Sequence, residues 1–395
     1  MLKWQQFKEE IFMNFKIIGA TKPQHIPNKN ETDLYCGKIG GVCYMNGTFE
    51  SLLNEPEEKT QKRISATMGS GHHSVYEHAY ITLELEGIPK LFAMVLNNEK
   101  VYVTSEKSAR YTKMECEGKE KELYEKWVKI FEEKIKEKYK NNGFMTDTRI
   151  TKLAQENARY LLSVKTPTTM VYTVSYRQLN YLCKWFENEL NNPNSKYKLI
   201  HNSFKEFIKF AKDSNLIDER LQNDGKFRQL SLINENKRRS EIFDDVYSVN
   251  YVGTFAELAQ AQRHRTLKYE INKIKENEFY VPKILTTYDE LIKEWKEDMN
   301  LLKENLPQGT LLDINERGTY EDFILKCKER LCSFAQLEIN EQTKNTLLKY
   351  LKETSNNEIA KDLMQRTKGS RCTFPDYKCQ SPCNFKEGII GERGV

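Results

Sequence analysis

Two short stretches concentrate side chains that could grip an anion. One is Arg263-His264-Arg265, closing the run TFAELAQAQ. The other is Ser108-x-Arg110-Tyr111, with Glu106 two residues before it. A guanidinium is a planar fork that can hold phosphate through two parallel N–H donors, and a nearby hydroxyl adds a neutral donor. Other residues could join them: Arg159 in ENARYLLS, Ser175 and Arg177 in TVSYRQL, Gln260 three before Arg263, Arg330 in ERLCSFAQLEI, and His72 at the head of HHSVYEHAY. Taken singly, each also has a plain structural reading: solvated charge, a helical ion pair, or a histidine satisfied at the start of a strand.

The elements that must carry these residues show in the hydrophobic pattern. From Ala79 to Glu86, Ile81, Leu83 and Leu85 alternate with Tyr80, Thr82 and Glu84, the period of a half-buried strand, and Gly87 and Pro89 should break it. PKLFAMVL then reads as a helix. Laying Ile81 on Val246 brings ITLELEGIPKLFAMVLNNEK over VYSVNYVGTFAELAQAQRHR without a gap, strand on strand and helix on helix, which is an internal repeat. KELYEKWVKIFEEKIKEKY and YDELIKEWKEDMNLLKENL carry apolar residues at three- and four-residue spacing and read as amphipathic helices packed on a sheet.

The chain of 395 residues is long enough for two cores. A net charge of +5 among 62 basic and 57 acidic side chains argues for local anion sites rather than a surface that coats a nucleic acid polymer. No apolar run is long enough for a membrane span and the start is not that of a signal peptide, so a cytoplasmic protein is expected. None of the nine cysteines has a context that would activate a nucleophilic thiolate. Cys372, Cys379 and Cys383 are spaced loosely like a zinc knuckle but lack a fourth ligand, so they read as a metal site or as a packed terminal loop; no metal is assigned. There is no GxGxxG after a strand, so a dinucleotide would have to be held by side chains.

Together, HSVYEHA, Ser-x-Arg-Tyr, ENARYLLS with TVSYRQL, and QRHR with LPQGT and ERLCSFAQLEI resemble the motifs of the flavin-dependent thymidylate synthases. In that family the motifs follow one another in a single domain of roughly half this length, whereas here each occurs in only one of two halves. The resemblance implies an α+β protein of two tandem domains, each a mostly antiparallel sheet packed with long helices. Repeat one would run from 14 to 212, a charged linker from 213 to 239, and repeat two from 240 to 395.

It also implies roles. Arg263, His264 and Arg265 would hold FAD, where repeat one has Asn98, Glu99 and Lys100. Glu106, Ser108 and Arg110 would cradle the phosphate of dUMP, a loop that repeat two has lost. Arg159 would be a second phosphate ligand, with Lys303 as its counterpart, and Gln260 would contact the nucleotide, with Val95 opposite it in the other repeat. Arg177 and Ser175 would form a flavin wall, the serine standing where the family has asparagine. In repeat two their partners are either Thr319 and Glu321 or, after a slip of one helical turn, Asn315 and Arg317. Arg330 would touch the pyrimidine and promote its attack, and His72 would lie beside the flavin ring; these two are the catalytic assignments. Leu337 replaces a tryptophan of the family.

The implied reaction is methylation of dUMP to dTMP with methylenetetrahydrofolate and NADPH as co-substrates. Alternatives are another flavin-dependent C5 modification, such as hydroxymethylation, or a non-catalytic nucleotide-binding homologue. A homo-oligomer is expected, a dimer forming a pseudo-tetramer, with the two halves pooling their cations into one cleft.

Overall fold

The computed structural model describes residues 13–21, 31–42, 45–110, 112, 114–222, 229–235 and 237–395. The chain visits each of two compact units twice. The first unit contains the chain up to Lys107 together with Pro167–Leu230; the second contains Ser108–Thr166 and Ser231–Val395.

In chain order the described elements are β1 (Asn14–Ala20), α1 (Glu31–Ile39), α2 (Phe49–Leu53), α3 (Glu57–Gly69), β2 (Tyr80–Pro89), α4 (Lys90–Leu96), β3 (Tyr102–Glu106), α5 (Gly118–Lys138), α6 (Asp147–Ala158), β4 (Pro167–Ser175), α7 (Tyr176–Asn191), α8 (His201–Asp213) and α9 (Glu219–Gln222). They continue with β5 (Ile242–Phe243), β6 (Val246–Thr254), α10 (Phe255–Ala261), β7 (Lys268–Phe279), α11 (Asp289–Leu301), β8 (Thr310–Thr319), α12 (Tyr320–Arg330), α13 (Leu337–Glu353), α14 (Asn357–Arg366) and α15 (Lys386–Ile389).

Each unit has a four-stranded sheet with every pair antiparallel, in the order β1-β2-β4-β3 in the first and β5-β6-β8-β7 in the second. Ile81, Leu83 and Leu85 of β2 are buried, as their alternation requires. Gly87 does not end this strand. It takes φ +67°, open to glycine, and the register with β4 shifts between Leu85 and Ile88. Beyond this bulge Ile88 faces Thr168 and Pro89 faces Pro167, while in the other sheet Gly253 faces Leu312 and Thr254 faces Leu311. These pairs are equivalent under the repeat, and the helices that follow, α4 and α10, start at equivalent residues.

The units do not follow the boundaries expected from the repeat. Residues 108–166, expected in repeat one, pack in the second unit, and 213–239 does not separate the two, since the chain to Leu230 stays with the first. Aromatic burial explains the first departure. Trp127 of α5 meets Trp295 of α11 edge-on at 4.8 Å, and Phe131 meets the same indole at 5.5 Å. Trp127 also donates to Asp298, at 2.8 Å. The apolar faces of these long helices therefore close on one another, with α6 completing the cluster.

A tight junction ties the two segments of the second unit together. Single 3₁₀ turns at Arg159–Leu161 and Lys303–Asn305 lead into β4 and β8. Ser163 and Pro307 form an antiparallel bridge, in which Val164 N–H donates to Leu306 O at 3.0 Å and Gln308 N–H donates to Leu162 O at 2.7 Å. When Ser175 is laid on Thr319, Ser163 falls on Pro307, Leu162 on Leu306 and Val164 on Gln308, so the two bonds are reciprocal copies of each other.

Candidate nucleotide site in the second unit

Thr254 caps α10, accepting from the Glu257 N–H at 3.0 Å, and the helix is buried nearly all round. It ends just before the basic triplet, where Arg263 and Arg265 are exposed and His264 is buried. His264 Nε2 accepts from Arg330 Nε at 2.7 Å, which places the ring proton on Nδ1. Burial, and then the Arg330 guanidinium, hold its pKa well below the ordinary histidine value. His264 is therefore neutral and orients Arg330, and the exposed cations of the triplet are its two arginines.

Arg330, the last residue of α12, also donates to Gln260 O at 3.1 Å. Its hydrogen bonds thus go to His264 and Gln260, and the neighbouring Glu329 of its own helix acts on it only through its charge. Gln260 donates to Oε1 of Gln336, and Arg159 Nη2 donates to the same oxygen at 2.6 Å and to Ala256 O at 2.9 Å. Gln336 Nε2 donates to Tyr160 Oη at 2.5 Å; Tyr160 and Thr254 in turn donate to Glu338, at 2.8 and 2.9 Å. Burial pushes the Glu338 carboxyl up to about 7 against the pull of these donors and of Arg159. Arg159 Nε and Gln260 Oε1 are buried and have no partner among the described residues, an unmet donor and an unmet acceptor in one polar network.

The phosphate-loop candidate joins the same unit. Ser108 Oγ accepts from the Arg110 N–H at 3.4 Å; the Arg110 side chain is paired with Glu156 of α6 and donates to Phe334 O at 2.5 Å. Tyr111 lies outside the described residues. Burial lowers the pKa of Arg159, Arg330 and Arg393, and the charge of Arg110 lowers each further. Each of these guanidinium groups is thus within electrostatic reach of Arg110, an arrangement that an anion would relieve.

Glu106, Ser175, Arg177 and His72 belong to the first unit, and the first three have structural tasks there. Glu106 accepts from Lys90 at 2.6 Å, from Asn97 at 3.3 Å and from Thr168 at 3.4 Å. Ser175 caps α7, accepting from Gln178 N–H at 3.2 Å. Arg177 donates to Glu77 at 2.8 Å and to Tyr181 Oη at 3.1 Å. His72 is exposed where the 3₁₀ turn His73–Glu77 begins, and its neighbour His73 is buried against Met68 O at 3.3 Å. Thr319 caps α12 as Ser175 caps α7, so the gapless pairing of Ser175 with Thr319 and Arg177 with Glu321 matches the folded elements. Asn315 and Arg317 lie within β8, where Arg317 holds Glu270 at 2.7 Å.

Motif and spacing do not reveal the roles of Gln336, Tyr160 and Glu338, although Gln336 and Glu338 lie inside the AQLEI motif and Tyr160 beside Arg159. Arg393, 3% exposed, has no local signal. Among the described residues no group of three or more His, Cys, Asp or Glu side chains is placed to hold a metal ion. Burial raises the Cys372 thiol, with Cys379, Cys383 and Cys332 as further causes. Among the same residues no helix is long and apolar enough to cross a membrane.

Residues 26–189 match the family described as Thymidylate synthase complementing protein. Two curated relatives are flavin-dependent thymidylate synthases: one from Pyrococcus furiosus, 29% identical over 33% of this chain and 56% of its own, and one from Thermococcus onnurineus, 30% identical over 34% and 55%. The chain thus spans little more than half the length of these relatives. A solved structure titled Thymidylate Synthase X from Helicobacter pylori, with FAD and dUMP, aligns over 53% of this chain and 96% of its own at 18% identity and a TM-score of 0.32, too slight a likeness to speak for fold or activity. The match to the thymidylate synthase complementing protein family thus covers less than half of the chain and lies within its amino-terminal half.

Proposed function

We propose that the chain methylates dUMP to dTMP with FAD as cofactor and methylenetetrahydrofolate and a reduced nicotinamide as co-substrates. The observation that carries this reading is the network joining Arg330, His264, Gln260, Gln336 and Arg159 in one unit. The residues fit the ligands. Arg159 Nε and Gln260 Oε1 offer a buried donor and acceptor to a nucleotide, and exposed Arg263 and Arg265 can meet a pyrophosphate from solvent.

In this reading Arg110 and Arg159 bind the nucleotide phosphate, and Ser108 adds a hydroxyl. His264, held neutral, fixes the plane of Arg330, whose guanidinium stabilises negative charge developing on the pyrimidine. Bound flavin would supply the reducing equivalents for the one-carbon transfer. Arg177, Ser175 and His72 are the proposed flavin contacts of the first unit, and Glu106 the proposed further contact to the nucleotide.

We also read the chain as a tandem duplication that works as a homo-oligomer. Identical strand order, equivalent β-pair register beyond the bulge, equivalent caps at Ser175 and Thr319 and the reciprocal bonds at Ser163 and Pro307 support the duplication. Purified protein is expected to be yellow, and Arg263→Ala to lose most flavin absorbance while remaining folded. Incubation with dUMP, labelled methylenetetrahydrofolate, FAD and NADPH should give labelled dTMP. A colourless protein that takes up no added FAD would sink the catalytic reading; a labelled product other than dTMP would sink the assigned reaction.

A further inference from the structure

We propose that a cavity beside Arg110 is a second ligand site, built for a compact aromatic anion. The cavity, of about 240 Å³, lies wholly in the second unit. Its basic side chains are Arg110, Arg149, Lys152 and Arg393, against the single acidic side chain of Glu156. One wall is aromatic. Phe144 and Phe385 stack in parallel at 4.5 Å, Phe334 stands edge-on to Phe144 at 5.6 Å, and the Arg149 guanidinium lies 3.5 Å over Phe144 and 4.5 Å over Phe334. Phe334 is 43% exposed, so part of its ring is open to a ligand at the cavity rim.

The basic side is built and incompletely satisfied. Arg393 gives its two terminal nitrogens to the carbonyls of Ser333, at 2.7 Å, and Ala335, and its buried Nε has no acceptor among the described residues. Size decides between ligand classes. The volume falls below the roughly 300–1,000 Å³ that suits drug-sized ligands, so one ring with one carboxylate or phosphate fits and a flavin dinucleotide does not. Arg159, Gln260, Arg263, Arg265 and Arg330 do not line the cavity, which separates it from the network assigned to nucleotide and flavin. Arg110 alone of the proposed nucleotide ligands lines it, so an occupant would act on nucleotide affinity through that side chain.

The test is calorimetric titration of the full chain with phenyl phosphate and with benzoate, with inorganic phosphate as the ring-free control. Saturable binding of one aromatic anion per chain is expected, at least about tenfold tighter than phosphate, and the better of the two identifies the anionic group. Phe334→Ala and Lys152→Glu, both on the cavity rim, should each weaken it about tenfold while leaving dUMP binding unchanged. No saturable binding of either aromatic anion, equal binding in both variants, or one-for-one displacement by dUMP would each overturn the proposal. None of these readouts requires flavin or turnover, so failure of the synthase reading would leave them interpretable.

Discussion

Position 336 needs a side chain that can accept and donate at once, and an amide is the group that does both. Its oxygen takes N–H groups from Arg159 and Gln260 while its nitrogen donates to Tyr160. Gln336→Leu would leave the Gln260 amide nitrogen unmet, at about 1–3 kcal/mol where water cannot reach it, and would take one bond each from Arg159 and Tyr160, which keep Ala256 O and Glu338. A drop in unfolding free energy of about 1–3 kcal/mol is expected, with weakened dUMP binding; denaturant melts and calorimetry check this, and a neutral result would mean that the network carries no weight. The cations themselves are legible from motif and residue type. Their partners are not, because the pairing of His264 with Arg330, or of Arg159 with Gln336, depends on segments far apart in the chain that no local spacing records.

Turns and caps are easier to foresee than boundaries. The alternation of β2 and the compact helix after it are plain in the sequence, yet Gly87, expected to stop the strand, makes a bulge, since a glycine in a strand pattern marks either. Period locates the long amphipathic helices but does not say what a face packs against, and theirs is an aromatic cluster between helices rather than a sheet. At the turn after Pro307, a Cβ on Gly309 would sit 2.8 Å from Tyr160 Cβ and 2.9 Å from Met299 Cε. Gly309→Ala should therefore destabilise by about 1–3 kcal/mol, as overpacking does, and should disturb Tyr160 as well. Thermal melts would register the first effect and nucleotide affinity the second; an unchanged melting point would show that the turn yields freely.

Across the whole protein, stability should depend on pH through two buried carboxyls of the second unit. Burial raises Glu257 to about 8, helped by Glu338 and Glu316 and opposed by Lys326, and raises Glu338 to about 7. A carboxyl whose folded pKa lies above its unfolded value of 4.5 binds its proton more tightly when folded. The stability this contributes is full below about 4.5 and is lost as pH rises through 7 and 8, at about 1.4 kcal/mol for each tenfold difference in proton affinity between the folded and unfolded chain. Glu257→Gln should flatten the fall in melting temperature between about pH 5 and pH 9, a range that brackets both titrations; parallel curves for the two proteins would refute the assignment. The partition into units is hidden from the sequence because similarity between segments does not record which apolar faces meet, and compactness does. Residues 108–166 follow their apolar faces.

Under the proposed duplication, the bridge at Ser163 and Pro307 has an evolutionary consequence. Ser163 gives its N–H to Glu120 at 3.2 Å, and proline at 307 has no such hydrogen to give. In an assembly of identical subunits, any change at a position facing its own twin is imposed on both sides together. If the two halves descend from a duplication, as proposed, either side can drift alone, and the proline at 307 gives up only the hydrogen that Ser163 gives to Glu120 on the other.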